Sequence, residues 1–432
     1  MSDTSESPQL NRALSAFAIT VYAVGDVLGA GIYALVGKVV AEAGDLAWLS
    51  FLLSALIAFL TGLTYAELSS RYPTAGGAAA YCRRAFEHRL IAFLIGFLVL
   101  ASGVASAATI SLAMVGYLEP FLRVPHWAGS LGLLLLLSWL NYRGIEESAR
   151  VNLVLTAIEV FGLLLIIAVG FYYAGTHAAS EAVVQSMPPV GWPAIVTGAT
   201  VAFFSYIGFE DTANVAEEVQ DASRVLPRAI LSAIAVSCVL YVAVTLAALA
   251  AVPVDVLARS PAPLLEVLKA ANVELPGNTF SLIALVAICN TGLLNLIMAS
   301  RLMFGMAQEG LLPAALGSVH PVRRTPWLAV WVAFALALAF AMSGGVELLA
   351  KTTSLLLLLV FTVLHIGLLR VKRRAPEVGE GVFRAPTVVP ILGSVICAAM
   401  ALQYPLEAHM RAAFVLALAC VFYLAVPVER SR

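Results

Sequence analysis

Twelve predominantly apolar stretches, most of them long enough to cross a bilayer, recur along the chain from Leu14 to Val428. A helix rises about 1.5 Å per residue and the hydrocarbon core is about 30 Å thick, so a spanning helix needs roughly 20 such residues. The spacing predicts helices near 14–41, 46–69, 90–118, 127–141, 151–174 and 192–214. A second set follows near 228–252, 277–304, 327–343, 346–370, 386–404 and 410–428. With 61% hydrophobic and only 12% charged residues among 432, water would not tolerate the surface such a chain presents. The expectation is an all-α polytopic membrane protein. Its first 13 residues are polar and partly acidic, so no cleavable signal peptide is visible and the first helix serves as the insertion signal.

An even number of crossings puts both termini on one side, and the Lys/Arg distribution says which. Nineteen of the 25 basic residues fall in alternate loops and tails, among them Arg71, Arg83, Arg84, Arg89, Arg224, Arg228, Arg301, Arg323, Arg324 and the cluster from Arg370 to Arg374. Both termini are therefore expected in the cytoplasm of a multi-pass cell-membrane protein. The net charge of -1 argues against a nucleic-acid partner. Cys82, Cys238, Cys289, Cys397 and Cys420 show no metal-ligand spacing, and Cys82 reads as part of a basic cytoplasmic loop. No His-Glu-x-x-His, Walker loop or Gly-x-Ser-x-Gly is present, and the longest polar stretches, near 175–191 and 253–276, are only loop-sized. Neither an enzyme nor a cofactor is expected, and no catalytic head interrupts the helices.

Two segments break their helical pattern at mid-membrane depth. The first carries Gly25-Asp26-Val27-Leu28-Gly29-Ala30-Gly31-Ile32-Tyr33, and the sixth carries Phe203-Phe204-Ser205-Tyr206-Ile207-Gly208-Phe209-Glu210-Asp211. Glycine invites unwinding and removes the Cβ that shields backbone amides. Irregular backbone at that depth is tolerated only where it lines a cavity or is buried in protein. The plainer reading is that such glycines let helices pack closely. The matched pair favours the first reading, because interrupted helices at corresponding positions of two repeats mark transporter substrate sites.

The chain resembles the amino acid, polyamine and organocation transporter superfamily, and most closely its bacterial and archaeal amino acid permeases. The resemblance covers nearly the whole sequence. It rests on Gly29-Ala30-Gly31-Ile32-Tyr33, on the run from Tyr65 to Gly77, on Tyr206-Ile207-Gly208-Phe209-Glu210 continuing to Ile230, and on Glu309-Gly310-Leu311-Leu312-Pro313. It implies a LeuT-type fold of two inverted five-helix repeats with helices 1 and 6 broken. Residues 14–174 would form the first repeat, 192–370 the second and 386–428 two additional helices, with 1–13 and 429–432 as cytoplasmic tails. It also implies alternating access, with substrate held between helices 1, 3, 6, 8 and 10.

In that frame the amides of Gly29, Ala30, Gly31 and Ile32 would receive a carboxylate at the amino-terminal end of a half-helix, with Leu28 beside them. Unpaired carbonyls near Phe204 and Ser205 would accept an ammonium. One zwitterion answers both breaks, which favours α-amino acids over sugars or anions. Phe204 falls where similar permeases place an aromatic over the substrate; a packing role is the alternative. Ser205, Ile207 and Gly208 complete the expected pocket.

Burying an ionisable group in a membrane costs at least ~2.5–3.5 kcal/mol at the helix centre, which draws attention to Asp26 and Glu159. Many related permeases carry lysine at the helix 5 position of Glu159, so a lysine mechanism does not carry over. A carboxyl pinned for packing is the alternative reading. Asn290 and Thr291 fall near the family's cation-site position, although polar residues also hold helices together. Glu217 and Glu218, with Arg71, Arg224 and Arg301, read as solvated pairs rather than as an inner gate. The leading expectation is importing amino acid symport with protons, sodium being the lesser choice. The rivals are uncoupled exchange of amino acids or amines, and substrate sensing without transport.

Overall fold

The computed structural model describes residues 10–118, 122–176, 191–260, 262–273, 279–343, 346–377, 379 and 381–425. Among these, fifteen α-helices follow one another. They are α1 (Ala16–Ala43), α2 (Ala47–Arg71), α3 (Gly77–Phe86), α4 (Arg89–Leu118), α5 (His126–Arg143), α6 (Ile145–Thr176), α7 (Trp192–Phe203) and α8 (Ala222–Ala251). After them come α9 (Val254–Arg259), α10 (Pro263–Ala270), α11 (Thr279–Gln308), α12 (Trp327–Ser343), α13 (Val346–Arg374), α14 (Val388–Ala401) and α15 (Leu406–Ala425). Each apolar segment read from the sequence falls mainly on one of these helices, except that 192–214 is helical only as far as Phe203 and that 426–428 lie outside the described residues. The short helices α3, α9 and α10 come in addition, and Cys82 is buried in α3 rather than lying in a loop. Nine stretches among the described residues are long and apolar enough to cross a membrane, and two shorter apolar helices, Trp327–Met342 and Val388–Ala401, accompany them.

Burial separates core from rim. The apolar window of α11 is 78% buried inside the protein, whereas that of α15 is 17% buried. Phe414, Leu418, Val421 and Phe422 on α15, like Leu153, Val154, Phe161 and Leu164 on α6, are exposed. Contiguous apolar surface of that extent is what lipid, not water, would cover. The centre belongs to α1, which packs against α6, α7, α8 and α11.

Two interruptions give the core its character. Inside α1, Gly29 alone has non-helical dihedrals, at φ 4° and ψ -168°. The segment at 192–214 is not one helix: α7 ends at Phe203, and a 3-10 turn covers Phe204–Tyr206. Ile207 is extended (φ -66°, ψ 140°), Gly208 has φ 130°, and 3-10 geometry resumes over Asp211–Glu218. Gly208 is required twice over. Its φ lies where side-chain-bearing residues rarely go, and a Cβ there would sit 2.7 Å from the carbonyl oxygen of Asp26. The two interruptions therefore touch.

At the end carrying the start of α1 the molecule is clasped. Leu14 N donates to the Glu218 carbonyl and Gln220 N to the Leu14 carbonyl, both at 2.9 Å. Ala75 N donates to the Glu217 carboxylate at 3.1 Å. Arg301, in α11, meets Glu218 through Nε and Nη2 at 3.0 and 3.1 Å, and its Nη1 donates to Asn141 of α5. Both side chains of the Arg301–Glu218 pair are completely buried. Glu67 of α2, also fully buried, receives Arg71, Lys372 and the amide of Ala385. The solvated reading of Glu218 and Arg301 is thus overturned, because the segment after the second interruption folds beneath α11 and seals their charges from water; Arg71 is instead paired with the buried Glu67 of its own helix.

A buried pair is most costly when half of it is removed, by about 3–5 kcal/mol. Glu218→Ala is expected to lower the melting temperature of the detergent-purified protein sharply, and Glu218→Met combined with Arg301→Met to recover most of the loss. Equal melting temperatures for the single and double variants would contradict the pairing.

Candidate functional site

The two interruptions face a cavity of about 700 Å3. That is ample for a small molecule. Its walls come from α1, α4, the end of α7 and the turn after it, α11 and α13. The lining runs from Asp26, Glu210 and Asp211 at one end to Lys38, Glu42, Gln403, Tyr404 and Pro405 at the other. The deep end lies towards the clasped side.

Of the substrate-site residues expected from sequence, Gly29, Gly31, Phe204, Ser205, Ile207 and Gly208 line this cavity. Leu28 and Ile32 do not: both are fully buried, packed into the core. The side chain of Ala30, which stands between the two lining glycines in sequence, lies outside the described residues. A Cβ on Gly31 would sit 2.9 Å from the Cα of Ser205, and one on Gly29 2.5 Å from Thr291 Oγ1. The glycines thus let the first interruption approach both the second one and α11.

One side chain absent from the sequence reading joins the two. The hydroxyl of Tyr241, on α8, lies 2.6 Å from the Val27 carbonyl oxygen, 3.1 Å from that of Leu28 and 3.0 Å from that of Ser205. A phenol has one proton to give, so these carbonyls keep spare lone pairs. Nothing in the sequence around Tyr241 signals this role. It arises because α8 crosses both interruptions at once.

The expected coupling residues divide into two groups. Asp26 and Thr291 line the cavity; Glu159 and Asn290 are absent from its lining. Behind α1, Asn290 Nδ2 donates to Thr156 Oγ1 at 3.1 Å and to Glu159 Oε2 at 3.3 Å. Thr156 in turn donates to Asn152 Oδ1 at 3.1 Å. The Tyr33 hydroxyl donates to the Glu159 backbone carbonyl at 3.1 Å. The sequence noted Glu210 and Asp211 as acids in an apolar run but not as site residues; both line the cavity, as do Tyr33, Ser102, Ser106 and Asn295. Among the described residues no group of three His, Cys, Asp or Glu side chains is arranged to hold a metal ion.

Comparison with known proteins places the chain. The family model described as amino acid permease matches residues 14–426. The chain is 31% identical over 419 residues to the methylthioribose transporter of Bacillus subtilis, covering 92% of this chain and 89% of that one. It is 26% identical over 421 residues to the branched-chain amino acid permease BcaP of the same organism, covering 91% and 88%. Over 336 residues it is 35% identical to the chloroplastic cationic amino acid transporter 9 of Arabidopsis thaliana, covering 72% and 58%. These relatives are named for different substrates, yet all are transporters or permeases. The chain belongs to the amino acid permease family of the amino acid, polyamine and organocation transporter superfamily, and is a multi-pass membrane transporter rather than an enzyme.

Proposed function

We propose that this protein imports small amino acids across the cell membrane by alternating access, coupled to protons. The observation that carries the reading is the meeting of two helix interruptions at one cavity. Half-helix amides at Gly29, Ala30 and Gly31 suit a carboxylate, and carbonyls near Phe204 and Ser205 suit an ammonium. An α-amino acid supplies both groups on one carbon. The fold would be the LeuT type, with repeats over 14–174 and 192–370, additional helices over 386–428, twelve crossings and cytoplasmic termini. Phe204, half-buried on the cavity wall, would close over the substrate.

Alternating access requires one end to open while the other is shut. The cavity reaches towards Lys38 and Glu42 while the opposite end is clasped by Glu218 and Arg301. This supports a state open to the outside, given the cytoplasmic N-terminus argued from the basic loops. Coupling has its candidates in Asp26, with Glu159, Asn290 and Thr291 around it. A buried carboxylate can take up a proton on one side and release it on the other.

Uptake of labelled amino acids into proteoliposomes tests the function. Net uptake, enhanced by an inside-alkaline pH gradient, is expected. Exchange alone would favour an uncoupled exchanger, and binding without flux would contradict transport. Gly31→Val fills the space between the interruptions, and Gly29→Val the space between the first interruption and Thr291 of α11. Loss of the charged hydrogen bonds to the carboxylate predicts affinity about 100-fold weaker in a variant that stays monodisperse. Retained affinity in a folded Gly29→Val protein would contradict the site.

A further inference from the structure

At the deep end of the cavity three carboxylates converge. Asp26 comes from α1 on one side of its interruption, and Glu210 and Asp211 follow the second interruption directly. They are 3%, 2% and 5% exposed, and all three line the cavity. Gly208 brings them together, since its backbone lies against the Asp26 carbonyl. Each lies within the electrostatic reach of at least one other.

Their partners do not balance their charge. Glu210 accepts the Gly208 amide at 2.9 Å. Asp26 Oδ2 is buried without a hydrogen-bond partner among the described residues, and no ion pair to Asp26 or Asp211 is present among them. Lys38, the sole basic residue among the described lining residues, is at the opposite end. Among the described residues the groups facing the cluster from neighbouring elements are Tyr22 of α1, Tyr65 of α2 and Glu159 of α6, with the Arg301–Glu218 pair on the far side of Tyr22. Arg301 is already engaged by Glu218. Adjacent carboxylates in a low-dielectric site do not all ionise, and a buried anion without a cation is costly. The acids are not arranged as a compact metal site.

We propose that Asp26 and Asp211, with Glu210 beside them, form the binding site of the transported proton, built across the two helix interruptions. This rests on the coupled-transport reading above and assigns its coupling site. Water in the cavity delivers the proton to one carboxylate, where an O–H bond forms and the neighbouring carboxylate is relieved of repulsion. Opening of the clasped end moves the two interruptions apart, breaks that O–H bond to cytoplasmic water and leaves the carboxylate ionised. Glu159 takes no direct part in proton entry, because it is outside the cavity lining and bonded by Asn290.

The test uses proteoliposomes loaded with a pH-sensitive dye and an equimolar mixture of the twenty labelled amino acids. Wild type is expected to accumulate label under an inside-alkaline gradient and to acidify the lumen as it does so. In Asp211→Asn the accumulation ratio should fall to about one, with no substrate-dependent acidification, while equilibrium exchange of label continues. Asp26→Asn is read in the same way and stands in should the first variant fail to fold. Full accumulation and acidification by a folded Asn variant would overturn the proposal. So would loss of coupling in Glu159→Gln with coupling intact in Asp211→Asn. Wild-type exchange without acidification would overturn the proton site and leave amino acid transport standing. Neither exchange nor uptake by folded wild type would remove the transport reading itself.

Discussion

The structure depends on the need to satisfy backbone polar groups where two helices stop being helices inside an apolar core. Each unpaired amide or carbonyl at that depth costs several kcal/mol, so an interruption must be supplied with partners or with a polar cavity. Tyr241 meets part of the need by placing one hydroxyl within reach of carbonyls from both interruptions. It cannot saturate them. What remains unsatisfied is free to meet a polar ligand, and under the proposed function the cavity beside it is the space that ligand would fill. The same contact fixes the relative placement of α1 and the α7 turn, so a ligand bridging them would be sensitive to any motion that separates them.

The two ends of the molecule answer that site differently. On the side of Lys38 and Glu42 the cavity continues between helices. On the other side, the buried Glu218–Arg301 pair ties the segment after the second interruption to α11, and the pairs around Glu67 tie α2 to α13. Buried ion pairs are poor sources of net stability but strict about geometry, since a separated partner is left charged in a dry surround. They suit a seal that is either fully made or fully broken. The seal joins directly onto the segment bearing Glu210 and Asp211, so the acids at the cavity floor and the closure beneath them share one piece of chain.

Much of this was legible in the sequence. The apolar stretches located the helices because hydropathy at bilayer length is a strong signal, and paired glycines near Gly29 and Gly208 marked where helical geometry fails. Three features were not legible, each for a physical reason. Tyr241 sits in an ordinary apolar helix, and its role depends on how α8 crosses two others. Arg301 and Glu218 looked solvated because charge near a helix end is usually at the surface; only the fold of the 3-10 segment beneath α11 buries them. Glu159 sat at a suggestive depth, but depth along a helix does not say which way a side chain faces, and it lies outside the cavity lining while Asp211 lies within it.

If the two interruptions recognise the two ends of one zwitterion, both charged groups on the α-carbon are required together. The direct measurement is calorimetric binding of an amino acid taken up by the protein, compared with its decarboxylated amine and its deaminated acid. The expected result is that each analogue binds at least about 30-fold more weakly, as loss of a charge-assisted hydrogen-bond set implies. Equal affinity for either analogue would mean that one interruption plays no part in recognition, and would contradict the site as built here.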